Sequence, residues 1–195
     1  MARSRESVLI RRDVVGELVP YGTPYELQEG QWAEITQALG TSFTLLVEGR
    51  LVRLGGADAD AIGKDTPEAM TVEHDGDETT DEEIKRLIDE QLHTCYDPEI
   101  PVNIVDLGLV YKCELEPYEQ EAGKLRIVID MTLTAPGCGM GEVIANEVND
   151  KLLNLPRIEE VTVNIVFDPP WDRSMMTEEA NLALGFEPDL RDYGL

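Results

Sequence analysis

Residues 125–156 read LRIVIDMTLTAPGCGMGEVIANEVNDKLLNLP, and their apolar spacing decides the fold of the second half of the chain. At the start of the stretch every second residue is apolar, which predicts a strand with one buried face. The residues on this face are Leu125, Ile127, Ile129, Met131 and Leu133. After a turn at residues 134–141, the spacing becomes that of an amphipathic helix. Its predicted inward residues are Val143, Ile144, Val148 and Leu152.

A second amphipathic helix is predicted upstream of this stretch. Thr80 and Glu83 have the spacing of a capping box, in which the threonine hydroxyl accepts from the glutamate N–H and the carboxylate reaches back. Apolar residues at helical spacing follow and continue as far as Cys95. The helix should end before Asp97, because Pro98 disfavours helical geometry in the residue ahead of it.

Two more alternating runs, residues 109–115 and 161–167, predict further strands. The first should pair with the strand at 125–133 as an antiparallel hairpin. The order helix, strand, strand, helix, strand predicts a compact domain whose helices pack on one small sheet. A last short helix is expected to start near Thr177 and to end before Gly185, a residue typical of a helix C-cap.

The sequence pattern of the first half predicts a small β-rich domain. The predicted fold class of the whole chain is therefore α+β. Strands are expected at residues 14–19, 42–48 and 50–54, separated by glycine and proline turns. An acidic, polar segment divides the halves, as an exposed linker should. The predicted boundaries are 1–72 for the β-rich domain, 73–80 for the linker, 81–173 for the α/β domain and 174–195 for a short helix and tail.

The charge of the chain is strongly negative, because 16 Lys and Arg face 40 Asp and Glu, a net charge of -24 over 195 residues. Such a field repels nucleic-acid phosphates and anionic membrane surfaces, so neither is an expected partner. The sequence contains no run of about 18 apolar residues, so no membrane span is predicted. The basic start of the chain lacks the apolar stretch of a signal peptide, so a cytoplasmic location is expected.

The three cysteines cannot all pair, which is typical of a reducing compartment. Cys95 and Cys113 lie on apolar faces, which predicts that both are small core residues. Cys138 lies in residues 134–141, between the buried strand and the following helix. The N–H groups and the positive dipole end of that helix favour a thiolate, which is the better nucleophile and metal ligand. The alternative is a plain strand-to-helix turn in which small residues serve only sterically.

A polar loop at residues 97–109 is predicted to lie opposite the cysteine turn. Asp97 and Asn103 are expected to cap backbone N–H groups nearby. Glu99 and Asp106 are candidates for hard metal ligands, or for side chains that tune the thiol. Asp106 precedes a buried strand, so its carboxylate either caps local N–H groups or faces a site.

The remaining supporting residues belong to the cysteine turn and to the segment after the last predicted strand. Thr134, Gly137 and Gly139 belong to the turn, where glycines remove side-chain cover and let the backbone bend sharply. Trp171 follows two prolines and is predicted to pack over the end of the sheet. A partner-binding surface is the alternative, since exposed tryptophan is favoured at interfaces.

Other thiol and nucleotide chemistries lack the residues that they need. No histidine follows Cys138, so a Cys–His nucleophile pair is poorly supported. The chain has no C-x-x-C motif for disulfide exchange or zinc, and no glycine-rich nucleotide-binding motif. We therefore expect a protein that is not an enzyme.

Four motifs stand out in sequence order. They are DPEIP at 97–101, VDLGLVY at 105–111, TAPGC at 134–138 and FDPPW at 167–171. Together they resemble the metal–sulfur cluster assembly family, which includes the eukaryotic cytosolic iron–sulfur targeting subunit and the bacterial phenylacetate-degradation protein PaaD. In the first half, QALGTSFT at 37–44 and DAIG at 60–63 look like the amino-terminal extension of bacterial SufT-type proteins.

This resemblance implies a role in maturing iron–sulfur proteins, with Cys138 as the functional thiol. It implies iron–sulfur assembly proteins and apo-clients as partners. It does not fix the client, because PaaD-like members serve one particular metalloenzyme complex. Two other functions stay open: an adaptor in which Cys138 is structural, and a sulfur-transfer thiol protein.

The thiol count predicts how an iron–sulfur cluster could be held. Clusters usually take four thiolates, and one chain offers one plausible exposed sulfur. A cluster carried here would therefore be transient, and it would bridge two subunits or borrow thiols from a client or a small molecule. We accordingly expect a homodimer when a cluster is bound.

Overall fold

Each half of the chain forms its own sheet with its own apolar core. The computed structural model describes residues 6–67, 79–135, 137 and 139–186. Most of the predicted linker, residues 73–78, lies outside these ranges. The predicted domain boundaries therefore stay predictions, while the elements on either side can be described.

The first half is an antiparallel sheet of six strands. They are β1 (Glu6–Leu9), β2 (Val14–Leu18), β3 (Thr23–Leu27), β4 (Trp32–Leu39), β5 (Ser42–Val47) and β6 (Arg50–Gly55). In space their order is β1-β4-β5-β6-β2-β3, and every neighbouring pair is antiparallel. The strands predicted at 14–19, 42–48 and 50–54 are confirmed as β2, β5 and β6. The sequence patterns do not predict β1, β3 and β4.

The core of the six-stranded sheet is aliphatic. Ile10, Leu27, Leu45 and Leu54 are its largest fully buried side chains. A 3-10 helix at Gly56–Ile62 follows β6 and adds three small or medium residues to this core. They are Ala59, Ala61 and Ile62.

The second half has the predicted order of helices and strands. Its elements are α1 (Asp81–Leu92), β7 (Val110–Pro117), β8 (Leu125–Met131), α2 (Met140–Leu153), β9 (Ile158–Ile165) and α3 (Glu178–Ala183). The sheet order is β7-β8-β9, with β7 antiparallel and β9 parallel to β8. The strand β8 is central, and its alternating residues are buried as predicted. The α+β class is thus confirmed.

The start of α1 is the predicted capping box. Glu83 N–H donates to Thr80 Oγ1 at 3.3 Å, and Thr80 N–H donates to Glu83 Oε2 at 2.8 Å. The end of the helix differs from the prediction, because α1 stops at Leu92. Cys95 therefore lies after the helix, in a turn in which the Cys95 N–H donates to Leu92 O at 3.1 Å. Its sulfur is nevertheless fully buried in the core, as predicted.

The prediction that Cys113 is a core residue is wrong, because this residue is exposed. The register pairs Cys113 with the buried Ile129, so its side chain lies on the core face of the sheet. However, β7 is an edge strand, with a register irregularity between Val110 and Lys112. As an edge strand, β7 has a neighbouring strand on one side only, so its residues on the core face are less covered than those of the central strand β8.

The end of the described chain forms the short helix that the sequence predicts. Thr177 caps α3 by accepting from Ala180 N–H at 3.1 Å. Gly185 follows the helix with a left-handed φ of 78°, which favours glycine. None of the helices in the part of the chain that the structure describes is long and apolar enough to cross a membrane.

Candidate functional site

The candidate cysteine turn joins β8 to α2. Cys138 itself lies outside the described residues, but both of its neighbours in the sequence are described. Gly137 has a left-handed φ of 79°, a conformation that favours glycine. Gly139 is the N-cap of α2. Both glycines are exposed, so the backbone on each side of Cys138 is open to solvent.

The start of α2 provides backbone donors at this turn. Gly139 has no side chain with which to cap the first helical turn, so the N–H groups of that turn receive no hydrogen bond from the N-cap residue's side chain. The positive end of the helix dipole acts in the same direction. Glu142, in the first turn, places a negative charge that opposes this effect. The turn thus offers two favourable contributions and one unfavourable one to a thiolate.

The parallel pairing of β8 and β9 places the carboxyl ends of both strands on the same side of the sheet. The TAPGC and FDPPW motifs follow these two strand ends. Because parallel strands end on the same side of a sheet, the chain leaves β8 at Thr132 and β9 at Val166 on that same side. Trp171 Nε1–H donates to Leu107 O at 2.8 Å, and its ring packs on the core. The packing predicted for Trp171 is confirmed. Thr134 lies half-buried at the start of the turn.

The loop at residues 97–109 holds its shape through two capping side chains, as predicted. Asp97 Oδ1 accepts from Glu99 N–H at 2.9 Å. Asn103 Oδ1 accepts from the N–H groups of Val105 at 3.0 Å and Asp106 at 2.9 Å. Burial raises the pKa of the Asp97 carboxyl, although the N–H groups of Glu99 and Ile100 oppose the rise. Both residues are therefore occupied with the backbone.

The two candidate metal ligands of the loop differ in their surroundings. Asp106 Oδ2 accepts from Asn103 Nδ2 at 2.6 Å, and Asp106 Oδ1 lies 3.5 Å from the Thr177 hydroxyl. Glu99 is exposed on the loop. Among residues 6–67, 79–135, 137 and 139–186, no three His, Cys, Asp or Glu side chains come together as metal ligands.

A buried ionic cluster joins the two halves of the chain, and the sequence patterns do not predict it. Glu147 on α2 accepts from Thr41 Oγ1 at 2.7 Å and from Lys151 Nζ at 2.8 Å. Its other oxygen pairs with the guanidinium of Arg53 on β6. Arg53 also meets Glu17 at 3.1 Å. The side chains of Arg53, Glu147 and Lys151 are 7%, 9% and 9% exposed, respectively.

This cluster determines the charge state of Glu147. Burial alone would raise the pKa of its carboxyl group, but the cations of Arg53 and Lys151 outweigh burial and hold the pKa below its ordinary value. Glu147 and Lys151 are four residues apart on a helix, a spacing that usually marks an exposed ion pair. The only sequence signal for burial is that Arg53 interrupts the apolar strand β6.

Cys95 borders the same cluster without gaining reactivity. Burial raises the pKa of its thiol to about 12, even though Lys151 Nζ lies 3.4 Å from the sulfur. The exposed Cys113 is also a poor nucleophile. Partial desolvation raises the pKa of its thiol, and the carboxylates of Asp89 and Glu114 act in the same direction. Neither described cysteine has the features of a reactive thiol.

Comparison with known proteins bears on the second half of the chain. The profile of a family described as iron–sulfur cluster assembly protein matches residues 85–165. A Porphyromonas gingivalis protein named Fe-S protein maturation auxiliary factor is 39% identical over 107 residues, which are 92% of that protein and 55% of this chain. Two further relatives have the same description.

The Fe-S protein maturation auxiliary factor SufT of Staphylococcus aureus is 44% identical over 89 residues, which are 94% of that protein and 46% of this chain. The Fe-S protein maturation auxiliary factor YitW of Bacillus subtilis is 39% identical over 107 residues, 99% of that protein and 55% of this chain. The resemblance drawn from the four motifs is confirmed. Because nearly the whole length of these relatives aligns, this chain belongs to the iron–sulfur cluster assembly protein family.

Proposed function

We propose that this protein is an iron–sulfur cluster maturation factor that is not an enzyme and that carries a cluster briefly, or directs it to clients, through Cys138. Family membership supports the general role. The exposed, glycine-bounded start of α2 supports the use of this thiol, because backbone donors and the helix dipole favour a thiolate there. Its partners would be iron–sulfur assembly proteins and apo-clients, in a compartment that keeps thiols reduced.

The cluster is cargo in this proposal, and the single chain supplies too few ligands to keep it. Cys95 is buried with a raised thiol pKa, and no three potential metal ligands come together in the part of the chain that the structure describes. A cluster on Cys138 would therefore need sulfur from a second subunit, a client or a small thiol. That arrangement makes release to a client straightforward, since few bonds to the carrier must break.

Replacing Cys138 tests this function directly. After anaerobic reconstitution, Cys138→Ser should bind at least about tenfold less iron and sulfide per chain than the wild type, because a serine hydroxyl is a poor cluster ligand. Visible absorption and iron analysis measure the loading, and size-exclusion chromatography shows whether the loaded wild type is a dimer.

The matched control is Cys113→Ser, which removes an exposed thiol from the same half of the protein. This variant should load like the wild type. Equal loading of Cys138→Ser and Cys113→Ser would contradict the carrier function.

A second function, that of a metal-free adaptor, is favoured by the net charge of -24. An acidic surface of this strength attracts basic faces of partner proteins. In this case Cys138→Ser would keep the same partners in a pull-down and would complement a deletion strain fully. Loss of function with unchanged partners favours the carrier instead. Sulfur transfer would appear as a persulfide on Cys138 in mass spectra after exposure to a sulfur donor.

A further inference from the structure

A cavity of about 470 Å³ lies between the two halves of the chain, beside the buried ionic cluster. One wall is a stripe of α2 that includes Val143, Asn146 and Asp150. The opposite wall comes from the end of β6 and the residues that follow it, and Gln91 of α1 completes the lining. Cavities of a few hundred Å³ have the size in which proteins bind small molecules.

The glycine at the end of β6 leaves the cavity open. Gly55 lies two residues after Arg53 on the same strand, so both face the same side of the sheet. Its backbone angles, φ -64° and ψ 146°, are ones that any residue adopts. A Cβ atom added to Gly55 would meet nothing within 4 Å. Neither backbone conformation nor packing therefore requires glycine here, and the missing side chain leaves open space at the cavity wall.

Gln91 places a buried polar group at this cavity. The residue is 8% exposed, and its side-chain amide forms no hydrogen bond within the part of the chain that the structure describes. Buried polar side chains almost always have a hydrogen-bond partner. Because this amide lines a cavity, its missing partner points to a molecule inside that cavity.

The charges around the cavity favour a cation. Its lining has three carboxylates and two cations, which are Glu17, Glu147, Asp150, Arg53 and Lys151. Both cations are already engaged, because Arg53 pairs with Glu17 and Glu147, and Lys151 pairs with Glu147 at 2.8 Å. Arg53 Nε has no hydrogen-bond partner among the described residues, but this atom is buried and so is out of reach of a ligand. Asp150 is exposed and forms no ion pair with the described residues.

We propose that this cavity binds a small organic cation that carries ammonium or guanidinium groups. Asp150 pairs with the positive charge, and the side-chain oxygens of Gln91 and Asn146 accept from the N–H groups of the ligand. The net charge of -24 adds a long-range attraction for cations. This binding goes beyond the maturation role and does not involve Cys138. A free amine and a lysine side chain of a partner share the required chemistry.

Isothermal titration calorimetry of the full chain distinguishes these two sources. Putrescine, a four-carbon diamine, represents free amines, and Nα-acetyl-lysine amide represents a lysine side chain. About 150 mM salt screens the general attraction between cations and the acidic surface. At least one probe should bind saturably with one molecule per chain, and the tighter probe identifies the source. Magnesium has the charge of the diamine but no N–H groups, so an excess of it should not displace the bound probe.

Two variants and a matched control locate the binding. Gly55→Leu should abolish it, because the new side chain fills the cavity without backbone strain. Asp150→Asn should weaken it roughly tenfold, the loss typical of a hydrogen bond to a charged group. Glu142→Gln is the control, because it removes one negative charge from an exposed position on the same helix, outside the cavity lining. This variant should bind like the wild type.

If Gly55→Leu does not fold, Gln91→Leu replaces it, since exchanging an unpaired buried amide for an apolar group of similar size preserves stability. This variant should also bind roughly tenfold more weakly. Saturable binding of neither probe at about 10 mM would mean that the cavity holds only water, and it would overturn the proposal. Equal affinities of Asp150→Asn and Glu142→Gln would also overturn it. Calorimetry on the cluster-free chain gives these results whether or not Cys138 carries a cluster.

Discussion

Glu147→Gln is expected to lower the free energy of unfolding by about 3–5 kcal/mol, the cost typical of removing one partner from a buried ion pair. The substitution keeps the shape of the side chain but removes its charge, which leaves Arg53 and Lys151 as buried cations with too few counter-charges. The amide NH₂ would also face the guanidinium, donor against donor. Urea unfolding followed by circular dichroism measures the change.

The matched control is Glu17→Gln, which removes the more exposed carboxylate from the same arginine. The Glu17 side chain is 36% exposed, so this change should cost no more than about 1 kcal/mol. An equal loss in the two variants would show that burial does not determine the strength of the cluster.

The cost of Glu147→Gln should also depend on pH. Because the folded protein lowers the pKa of Glu147 below its ordinary 4.5, the stabilisation is fully present above pH 4.5. It is lost as the pH falls through the lower folded pKa. The difference between the wild type and Glu147→Gln should therefore be largest near neutral pH and should narrow in acid. A difference that stays constant down to acid pH would contradict this account.

Leu45→Ala is expected to cost about 2–5 kcal/mol, because it opens a cavity in the core of the six-stranded sheet. Leu45 is fully buried there on β5. The loss should also destabilise the other half of the chain, because the ionic cluster joins the two halves and Val19, directly after β2, is buried in the core of the second half. Trp171 fluorescence reports on that half once the 69% exposed Trp32 is replaced by phenylalanine. In the Trp32→Phe chain, Leu45→Ala should shift the Trp171 transition to lower urea.

Leu153→Ala is the control, because it makes the same leucine-to-alanine truncation at an exposed position. Leu153 is 41% exposed at the end of α2, so its truncation should cost less than about 1 kcal/mol. Leu45→Ala could leave the Trp171 transition unchanged while the unfolding transition followed by circular dichroism shifts. In that case the two halves unfold independently, and the coupling inferred from the buried cluster would be wrong.

Regular apolar spacing is what made much of the fold predictable. The strand β8 is central in its sheet, so burial on one face imposes strict alternation, and the capping box marks the first residue of α1 within one position. In the first half, the sequence pattern does not predict β4, because a register irregularity between Ile35 and Gln37 breaks the alternation of buried and exposed residues. The strand β3 contains Pro24, which is tolerated there because β3 lies at the edge of the sheet.

Long-range partners were beyond reach of the same patterns. Arg53 and Glu147 are 94 positions apart, and no local periodicity connects them. The exposure of Cys113 could not be predicted for a related reason. The alternation of residues in β7 places Cys113 on the core face of the sheet, but it does not indicate that β7 is an edge strand. The capping roles of Asp97 and Asn103 were predictable, since they depend on N–H groups only two or three residues away. The role of Cys138 stays a prediction.

A carboxylate shared by two parts of one chain also ties their evolution together. Glu147 lies within residues 85–165, the part that defines the family, whereas Arg53 lies outside it. A chain without the six-stranded sheet is free to carry almost any helix-forming residue at the position of Glu147. In homologues that retain both parts, we expect replacements at positions 53 and 147 to occur together, as paired changes of charge or as joint loss of it.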